Sequence, residues 1–185
     1  TKYPVHPDLQ QYGGSVLPMR KSVLSLANVV TNVGVRAFRF PKGIQARWLR
    51  VPNGADGVKT LLLTPEHAGE NAPCLVYCHG GGFVFGLNPM HIKLVCEYAQ
   101  NTSCKVLLAD YRLAPKHPFP AGAEDCYAVL QWAAEHANEL GIDPDNIALG
   151  GDSAGGALSM SVSLMARDRG GKAARFLRLI YPVAD

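Results

Sequence analysis

The sequence lacks the features that would assign it to a membrane or to a polyanionic partner. It has no apolar run long enough to span a bilayer, and its N-terminus shows no signal-peptide pattern. Its charges nearly balance, with 18 Lys and Arg against 15 Asp and Glu and a net charge of +3. We therefore predict no transmembrane segment and no nucleic-acid partner, and the 185 residues fit one soluble globular domain.

The sequence also lacks a metal-binding cysteine motif, although it contains five cysteines. Cys74 and Cys78 lie in one apolar segment that predicts a strand. Four residues at about 3.3 Å each would put their Cα atoms about 13 Å apart, too far for a disulfide. We therefore predict buried, reduced cysteines, no metal, and a reducing, cytoplasmic location.

Strand and helix patterns alternate along most of the chain, which predicts an α/β fold with a mostly parallel sheet flanked by helices. Residues 46–185 would form this core, and residues 1–45 would form a separate, irregular segment whose best helix pattern covers 18–30. The predicted elements of the core, in chain order, are a hairpin over 44–65, a strand over 72–81, a helix over 89–100, a strand over 104–110, a helix ending at Gly141, a strand over 146–151, a helix over 153–167 and a strand over 176–183.

The last predicted strand, FLRLIYPV, is strongly apolar, and too little sequence follows it to cover its far side. We expect either that this strand is a true sheet edge or that the chain is a piece of a larger protein. Exposed apolar edges promote pairing with another chain, so association into a homodimer through this strand is one prediction.

A serine stands between glycines where a strand pattern gives way to a helix pattern. Residues 151–155, GDSAG, fit G-x-S-x-G, in which a sharp turn projects the serine hydroxyl above the sheet. The start of the following helix adds unpaired N–H groups and a partial positive charge. The alternative is that Ser153 is only the N-cap of this helix.

A glycine-rich stretch follows another predicted strand. Residues 79–83, HGGGF, expose backbone N–H groups of the kind that stabilise a tetrahedral oxyanion, and the N–H of Ala154 would complete the set. The alternative is a flexible glycine hinge. The two motifs occur in the order expected of a serine hydrolase that acts on acyl groups.

The motifs HGGGF, YRLAPKHPFPA, GDSAGG and LIYPV together resemble the hormone-sensitive-lipase family of α/β-hydrolases, which comprises carboxylesterases and lipases. The resemblance runs from about residue 61 to residue 185. It implies an α/β-hydrolase fold, hydrolysis of small carboxylic esters and no cofactor. Residues 1–45 would correspond to the N-terminal part of the family's cap.

The resemblance also implies roles for individual residues. Ser153 would be the nucleophile. The oxyanion donors would be the backbone N–H groups of Gly80, Gly81 and Ala154. Five further residues would support the site without taking part in the chemistry: His79, Gly82, Gly151, Asp152 and Gly155.

Arg112 lies in the proline-rich motif. Because an unpaired buried charge is costly, we expect Arg112 to be partly buried and paired with Glu124 or Asp125, in a structural role.

No histidine follows the serine. The triad of this fold runs serine, acid, histidine along the chain, but all six histidines precede Ser153, and only Asp168 and Asp185 are acidic after it. By the resemblance, the triad acid and histidine would come later than residue 185. We therefore interpret the chain as the N-terminal part of an esterase, inactive alone, which a second chain carrying the C-terminal half could complete.

Two functions from different classes remain open. The first is a serine carboxylesterase acting on short- to medium-chain esters, because the residues around the predicted site are small and apolar. The second is a non-catalytic protein that binds a small molecule on the same scaffold, as in the plant gibberellin receptors, which resemble this family and lack the triad histidine.

Overall fold

Six strands and five helices make up the described part of this computed structural model, which comprises residue 7 and residues 20–184. In chain order the elements are α1 (Lys21–Arg36), β1 (Ile44–Val51), β2 (Val58–Pro65), β3 (Ala72–Cys78), α2 (Pro89–Thr102), β4 (Lys105–Asp110), α3 (Ala121–Glu135), α4 (Ala137–Leu140), β5 (Ile142–Asp152), α5 (Ala154–Asp168) and β6 (Phe176–Ile180).

The strands form one sheet in the order β1-β2-β4-β3-β5-β6. The pairs β1–β2 and β2–β4 are antiparallel, whereas β4, β3, β5 and β6 run parallel to one another. The apolar strands β3 and β4 lie in the middle, as expected of strands buried on both faces. The predicted α/β fold with a mostly parallel sheet is confirmed.

Each face of the sheet buries its own core, because successive side chains of a strand point to opposite faces. On one face, Val76 and Leu107 pack with Val129 of α3 and Val162 of α5. On the other face, residues such as Tyr77, Leu108 and Leu61 pack with the buried side of α2. The carboxyl ends of the parallel strands therefore lie between two well-packed layers, which hold the loops that follow them.

The helix predicted to end at Gly141 is interrupted. The structure divides it into α3 and α4 at His136, whose φ of −107° and ψ of 25° are not helical. Gly141 follows α4 in the left-handed region at φ 61°, so the predicted end is correct. The apolar spacing continues across the interruption, and for that reason the pattern alone predicts one helix.

The last strand is shorter than predicted and lies at the sheet edge. It ends at Ile180 rather than Val183, because Tyr181 adopts a φ of 35° and Pro182 cannot donate a ladder hydrogen bond. Phe176 is 62% exposed, and Tyr181 is 72% exposed. The expectation of an apolar edge is met in the described residues, while Asp185 lies outside them.

The N-terminal segment is described only in part. The predicted helix over 18–30 is observed as α1 over Lys21–Arg36, and residues 18 and 19 lie outside the described residues, as does His6. The domain boundary between residues 45 and 46 stays a prediction. It would fall inside β1, which begins at Ile44.

Four of the five cysteines are buried as predicted, while Cys104 is only partly buried. Cys74 and Cys78 lie on β3, and both are buried, like Cys96 and Cys126. Burial raises the pKa of the Cys96 thiol to about 11, so this group stays protonated near neutral pH. Among the described helices, none has the length and apolar character needed to cross a bilayer.

Candidate active site

The turn between β5 and α5 places Ser153 in a conformation that L residues rarely adopt. Its φ is 51° and its ψ is −118°, between Asp152, which ends the strand, and Ala154, which begins the helix. Two backbone hydrogen bonds hold the turn: the N–H of Ser153 donates to the Ile180 carbonyl at 2.9 Å, and the N–H of Val183 donates to the Ser153 carbonyl at 3.1 Å. A strained residue held in this way is typical of a functional position.

The alternative that Ser153 is an N-cap is wrong. Ser153 occupies the position before α5, but its hydroxyl makes no capping hydrogen bond. A capping serine has extended backbone angles and accepts a hydrogen bond from the N–H two or three residues later. The observed backbone angles are those of a sharp strand-to-helix turn, and the half-buried side chain is left without that bond.

The glycines around Ser153 allow contact between this turn and the end of β3. A Cβ atom on Gly155 or Gly151 would overlap the carbonyl oxygen of Cys78. Cys78 pairs with Gly151 in the parallel ladder between β3 and β5, and the HGGGF motif begins at the next residue. The close backbone approach therefore brings the two sequence motifs together.

The HGGGF loop is a tight turn fixed by its own hydrogen bonds. Gly81 has a φ of 122°, and its carbonyl accepts from the N–H groups of Val84 at 3.1 Å and Phe85 at 2.9 Å. A Cβ at Gly81 would lie 2.6 Å from the Phe85 carbonyl oxygen, so glycine is required here. These contacts favour a shaped loop over the alternative of a flexible hinge.

Asp152 joins the nucleophile turn to the glycine loop. Its Oδ1 accepts from the Tyr77 hydroxyl at 2.9 Å and from the Gly80 N–H at 3.0 Å. Burial, and then the nearby Asp152 carboxylate, raise the pKa of Tyr77 well above its ordinary value, so Tyr77 remains a donor. The sequence placed Asp152 in a supporting role, and this geometry is compatible with that role.

The Gly80 contact bears on the predicted oxyanion donors. Because the Gly80 N–H already donates to Asp152, its part in an oxyanion hole stays a prediction. Within residues 20–184, the N–H groups of Gly81 and Ala154 are not donors in any backbone hydrogen bond outside the regular helices and strands. Neither N–H is therefore committed to a backbone acceptor in a loop, and their part in an oxyanion hole stays a prediction.

His79 is fully buried beneath the loop. Its Nδ1 donates to the Gly80 carbonyl at 2.7 Å, its ring stacks on Tyr111 with centroids 4.3 Å apart, and the Tyr111 hydroxyl donates to the His79 carbonyl at 2.7 Å. Burial lowers the pKa of His79 to about 3. The imidazole is thus neutral and orders the loop backbone, and its burial leaves it unsuited to accept a proton from a substrate-facing hydroxyl.

Arg112 pairs with Asp125, one of the two predicted partners. Its Nε and terminal nitrogen donate to the Asp125 carboxylate at 2.7 to 3.1 Å, while Glu124 pairs with Arg169 instead. The expected partial burial of Arg112 is wrong: the Asp125 side chain is 1% exposed, and the Arg112 side chain is 42% exposed. The acid is the buried partner because α3 holds it against the loop backbone, whose Arg112 N–H also donates to it.

No histidine in the described chain makes a hydrogen bond to Ser153. His67 and His136 contact backbone carbonyls elsewhere, at Gln100 and Trp132. Residues 20–184 also contain no cluster of three or more His, Cys, Asp or Glu side chains arranged to hold a metal. In the described residues, Ser153 therefore has no hydrogen-bonded histidine that could act as its general base.

A cavity of about 300 Å³ lies beside the turn, and sequence reasoning did not find it. Its walls come from the glycine loop, the proline-rich connection and α5, where Ala157 follows Ser153 by one helical turn. The cavity residues that the motifs do not mark are Gly122 and Ala123 of α3 and Ala157, Leu158 and Ser161 of α5. Their helical spacing is the only signal they carry, and it equally describes ordinary packing.

A parallel sheet that carries a serine on a strained strand-to-helix turn, beside a glycine loop, defines an α/β-hydrolase site. A family model described as alpha/beta hydrolase fold matches residues 75–185. The chain belongs to the hormone-sensitive-lipase family of α/β-hydrolases, and both the predicted resemblance and the predicted fold are confirmed.

Relatives of this family are carboxylesterases and lipases. Carboxylesterase NlhH of Mycobacterium tuberculosis is 42% identical over 130 residues, which are 70% of this chain and 41% of that protein. Hormone-sensitive lipase of Bos taurus is 38% identical over 122 residues, which are 66% of this chain and 16% of that protein. The solved structure of an esterase from Pyrobaculum calidifontis matches with a TM-score of 0.83 and 35% identity, over 97% of this chain and 59% of that one. The chain thus spans less than two thirds of each.

Proposed function

We propose that this chain carries the nucleophile of a serine carboxylesterase that hydrolyses short- to medium-chain carboxylic esters. The observation that carries the proposal is the strained Ser153, on a turn that the hydrogen bond from the Gly80 N–H to Asp152 joins to the glycine loop. The names of the relatives, carboxylesterase and lipase, support the same class of reaction.

In this mechanism the Ser153 Oγ attacks the ester carbonyl carbon and gives its proton to a histidine. The carbonyl oxygen becomes an oxyanion, which accepts hydrogen bonds from the N–H groups of Gly81 and Ala154. The Gly80 N–H would join them only if it left Asp152. The alcohol departs with the proton from the histidine, and a water molecule then hydrolyses the ester between the acyl group and Ser153.

The general base would come from residues beyond these 185, together with the triad acid. His79 is buried and neutral, and its Nδ1 is committed to the Gly80 carbonyl. A second chain that carries the C-terminal half is one source of both groups. Without them, oxyanion stabilisation and binding would leave roughly 10³–10⁴-fold acceleration over water, so the isolated chain would be nearly inactive.

The cavity beside α5 is where we place the acyl chain. Phe83, Ala157 and Leu158 give it a largely apolar wall, and its volume of about 300 Å³ suits a short or medium acyl chain. Arg112, His117 and Ser161 place polar side chains at its wall.

The alternative function is a non-catalytic protein that binds a small molecule in the same cavity. The lack of a histidine bonded to Ser153 in the described chain is the observation that favours it. A binding protein would keep the cavity and the loop but would have no need for a reactive hydroxyl.

Intact-mass spectrometry with a fluorophosphonate probe separates the two functions, applied to the protein as purified from its natural source. A stoichiometric adduct on Ser153, absent from a Ser153→Ala variant, is the result expected of the esterase. A folded protein that binds ester analogues but never forms the adduct would leave only the binding function.

The exposed edge of β6 supports the proposal that this chain associates with another chain. An apolar edge with Phe176 62% exposed is a surface for another strand, either from a chain that continues the sheet or from a second copy of this chain. The buried, unpaired thiols are consistent with a cytoplasmic location, which stays a proposal.

A further inference from the structure

We propose that His91 is a positioning residue for the oxyanion loop and acts through Asp152; the inference rests on the function proposed above. His91 lies in the first turn of α2, outside every motif that marks the site. Its Nε2 faces the Asp152 Oδ2 at 4.0 Å, while the other oxygen of that carboxylate holds the Gly80 N–H.

The start of α2 fixes which nitrogen of His91 carries the proton. The Asn88 N–H donates to the His91 Nδ1 at 3.3 Å, and the Asn88 side chain accepts from the N–H groups of Met90 and His91. An imidazole nitrogen that accepts a hydrogen bond carries no proton, so the proton of the neutral ring is on Nε2. The capping arrangement therefore aims an N–H group at Asp152.

The contact between His91 and Asp152 is largely shielded from solvent. The two side chains are 13% and 11% exposed, which strengthens the attraction between an N–H dipole and a carboxylate. At 4.0 Å the two atoms are too far apart for a direct hydrogen bond, and one bridging water molecule would connect them.

Among the groups around His91, Asp152 is the charged side chain in ion-pair range of its ring. The His79 ring lies 5.2 Å away between centroids and is neutral. A cavity of about 420 Å³ next to His91 and Asp152 is also lined by Lys93, Glu97 and Tyr181. Burial lowers the pKa of His91 and the Asp152 charge opposes that shift, so the ring is neutral near pH 7.

The two oxygens of the Asp152 carboxylate make different contacts. Oδ2 faces His91, and Oδ1 binds both Tyr77 and the Gly80 N–H. A Cβ on Gly80 would overlap Oδ2, so the carboxylate and the loop are in direct contact. Rotation of this carboxylate would release the Gly80 N–H and shift the loop relative to Ser153, the residue next to Asp152. His91 opposes that rotation.

Two substitutions of similar polarity test the assignment. His91→Asn keeps an acceptor for the Asn88 N–H but cannot reach Asp152, whereas His91→Gln places an amide N–H near the position of Nε2. We expect His91→Asn to speed hydrogen exchange of the Gly80 amide about tenfold, and to slow labelling of Ser153 by a fluorophosphonate about tenfold, as for loss of one hydrogen bond to a charged group. His91→Gln should restore most of both.

His136→Asn is the matched control, because the His136 Nδ1 donates to the Trp132 carbonyl and its ring stacks on Trp132, with no contact to Asp152. It should change neither rate. If the Gly80 amide exchanges alike in the wild type and His91→Asn, with thermal unfolding confirming a folded variant, the inference is overturned. Equal effects of Asn and Gln would also overturn it. If Ser153 never reacts even in the protein purified from its natural source, the proposed function fails, and amide exchange at Gly80 still decides the role of His91.

Discussion

The nucleophile turn and strand β6 touch each other, yet they are packed in opposite ways. On the side of β3, the turn is so close to the Cys78 carbonyl that only glycine fits at Gly155. On the side of β6, the Ser153 N–H is held by the Ile180 carbonyl of an edge strand whose Phe176 is largely exposed. The geometry of the site therefore depends on a contact with β3 that leaves no room for a Cβ and on a hydrogen bond from an edge strand with exposed side chains. This comparison predicts that substitutions at the β3 contact will cost far more than substitutions of the exposed side chains of β6.

Gly155→Ala should have the largest effect. The new methyl group would overlap the Cys78 carbonyl, and backbone on both sides would have to move, at a cost above about 3 kcal/mol in the free energy of unfolding. Chemical denaturation measures this loss. Gly69→Ala is the control, since no atom lies within 4 Å of its added Cβ. Similar stability of the two variants would mean that the close approach at Gly155 is not required.

Asp125→Asn should come next, because it removes the charge from the buried member of the Arg112 pair. Asp125 accepts hydrogen bonds from Asn53, from the Arg112 backbone and from the Arg112 guanidinium, so the loss is expected to be about 2 kcal/mol in the free energy of unfolding. The same denaturation experiment on Glu124→Gln, whose pair with Arg169 is far more exposed, should show no measurable change. Equal losses would contradict the assignment of Asp125 as the buried anchor.

The pH dependence of stability should report on His79. Its pKa falls from an ordinary 6.5 to about 3 on folding, so between these values the unfolded chain binds a proton that the folded chain does not. The stabilisation is complete above pH 6.5 and is lost as the pH falls towards 3, by about 1.4 kcal/mol per pH unit. Denaturation at pH 7 and pH 5 measures this slope, and His79→Gln should reduce it. An unchanged slope in the variant would show that His79 is not the titrating group.

Phe176→Lys should have the smallest effect on the stability of the single chain, within about 0.5 kcal/mol, because the side chain is mostly in solvent. Its effect on association should be larger, since a lysine on an edge strand disfavours pairing with another strand. Sedimentation of the wild type and the variant compares their masses in solution. A wild type that is already monomeric at all concentrations would count against the homodimer.

The motifs predicted which residues would meet, but not the contacts that bring them together. The sequence marked Asp152 as a supporting residue. Its hydrogen bonds reach Tyr77, at a sequence separation of 75, and Gly80, at a sequence separation of 72, and no local pattern predicts them. His91 carried no signal, because a histidine on a helix matches no motif. Arg112 was assigned an acidic partner correctly, but which member of the pair is buried depends on how α3 packs against the loop.

Local sequence alone determined the order of strands and helices, the glycine turns and the family of this protein, because periodicity and the G-x-S-x-G and HGGG patterns involve neighbours in the chain. Only the tertiary structure decided that β3 and β5 are adjacent, and hence that the Cys78 carbonyl lies against Gly155 and that the Gly80 N–H reaches Asp152. Those contacts arise when strands distant in sequence pair in one register. Register is set by burial on both faces of the sheet, which no single segment encodes.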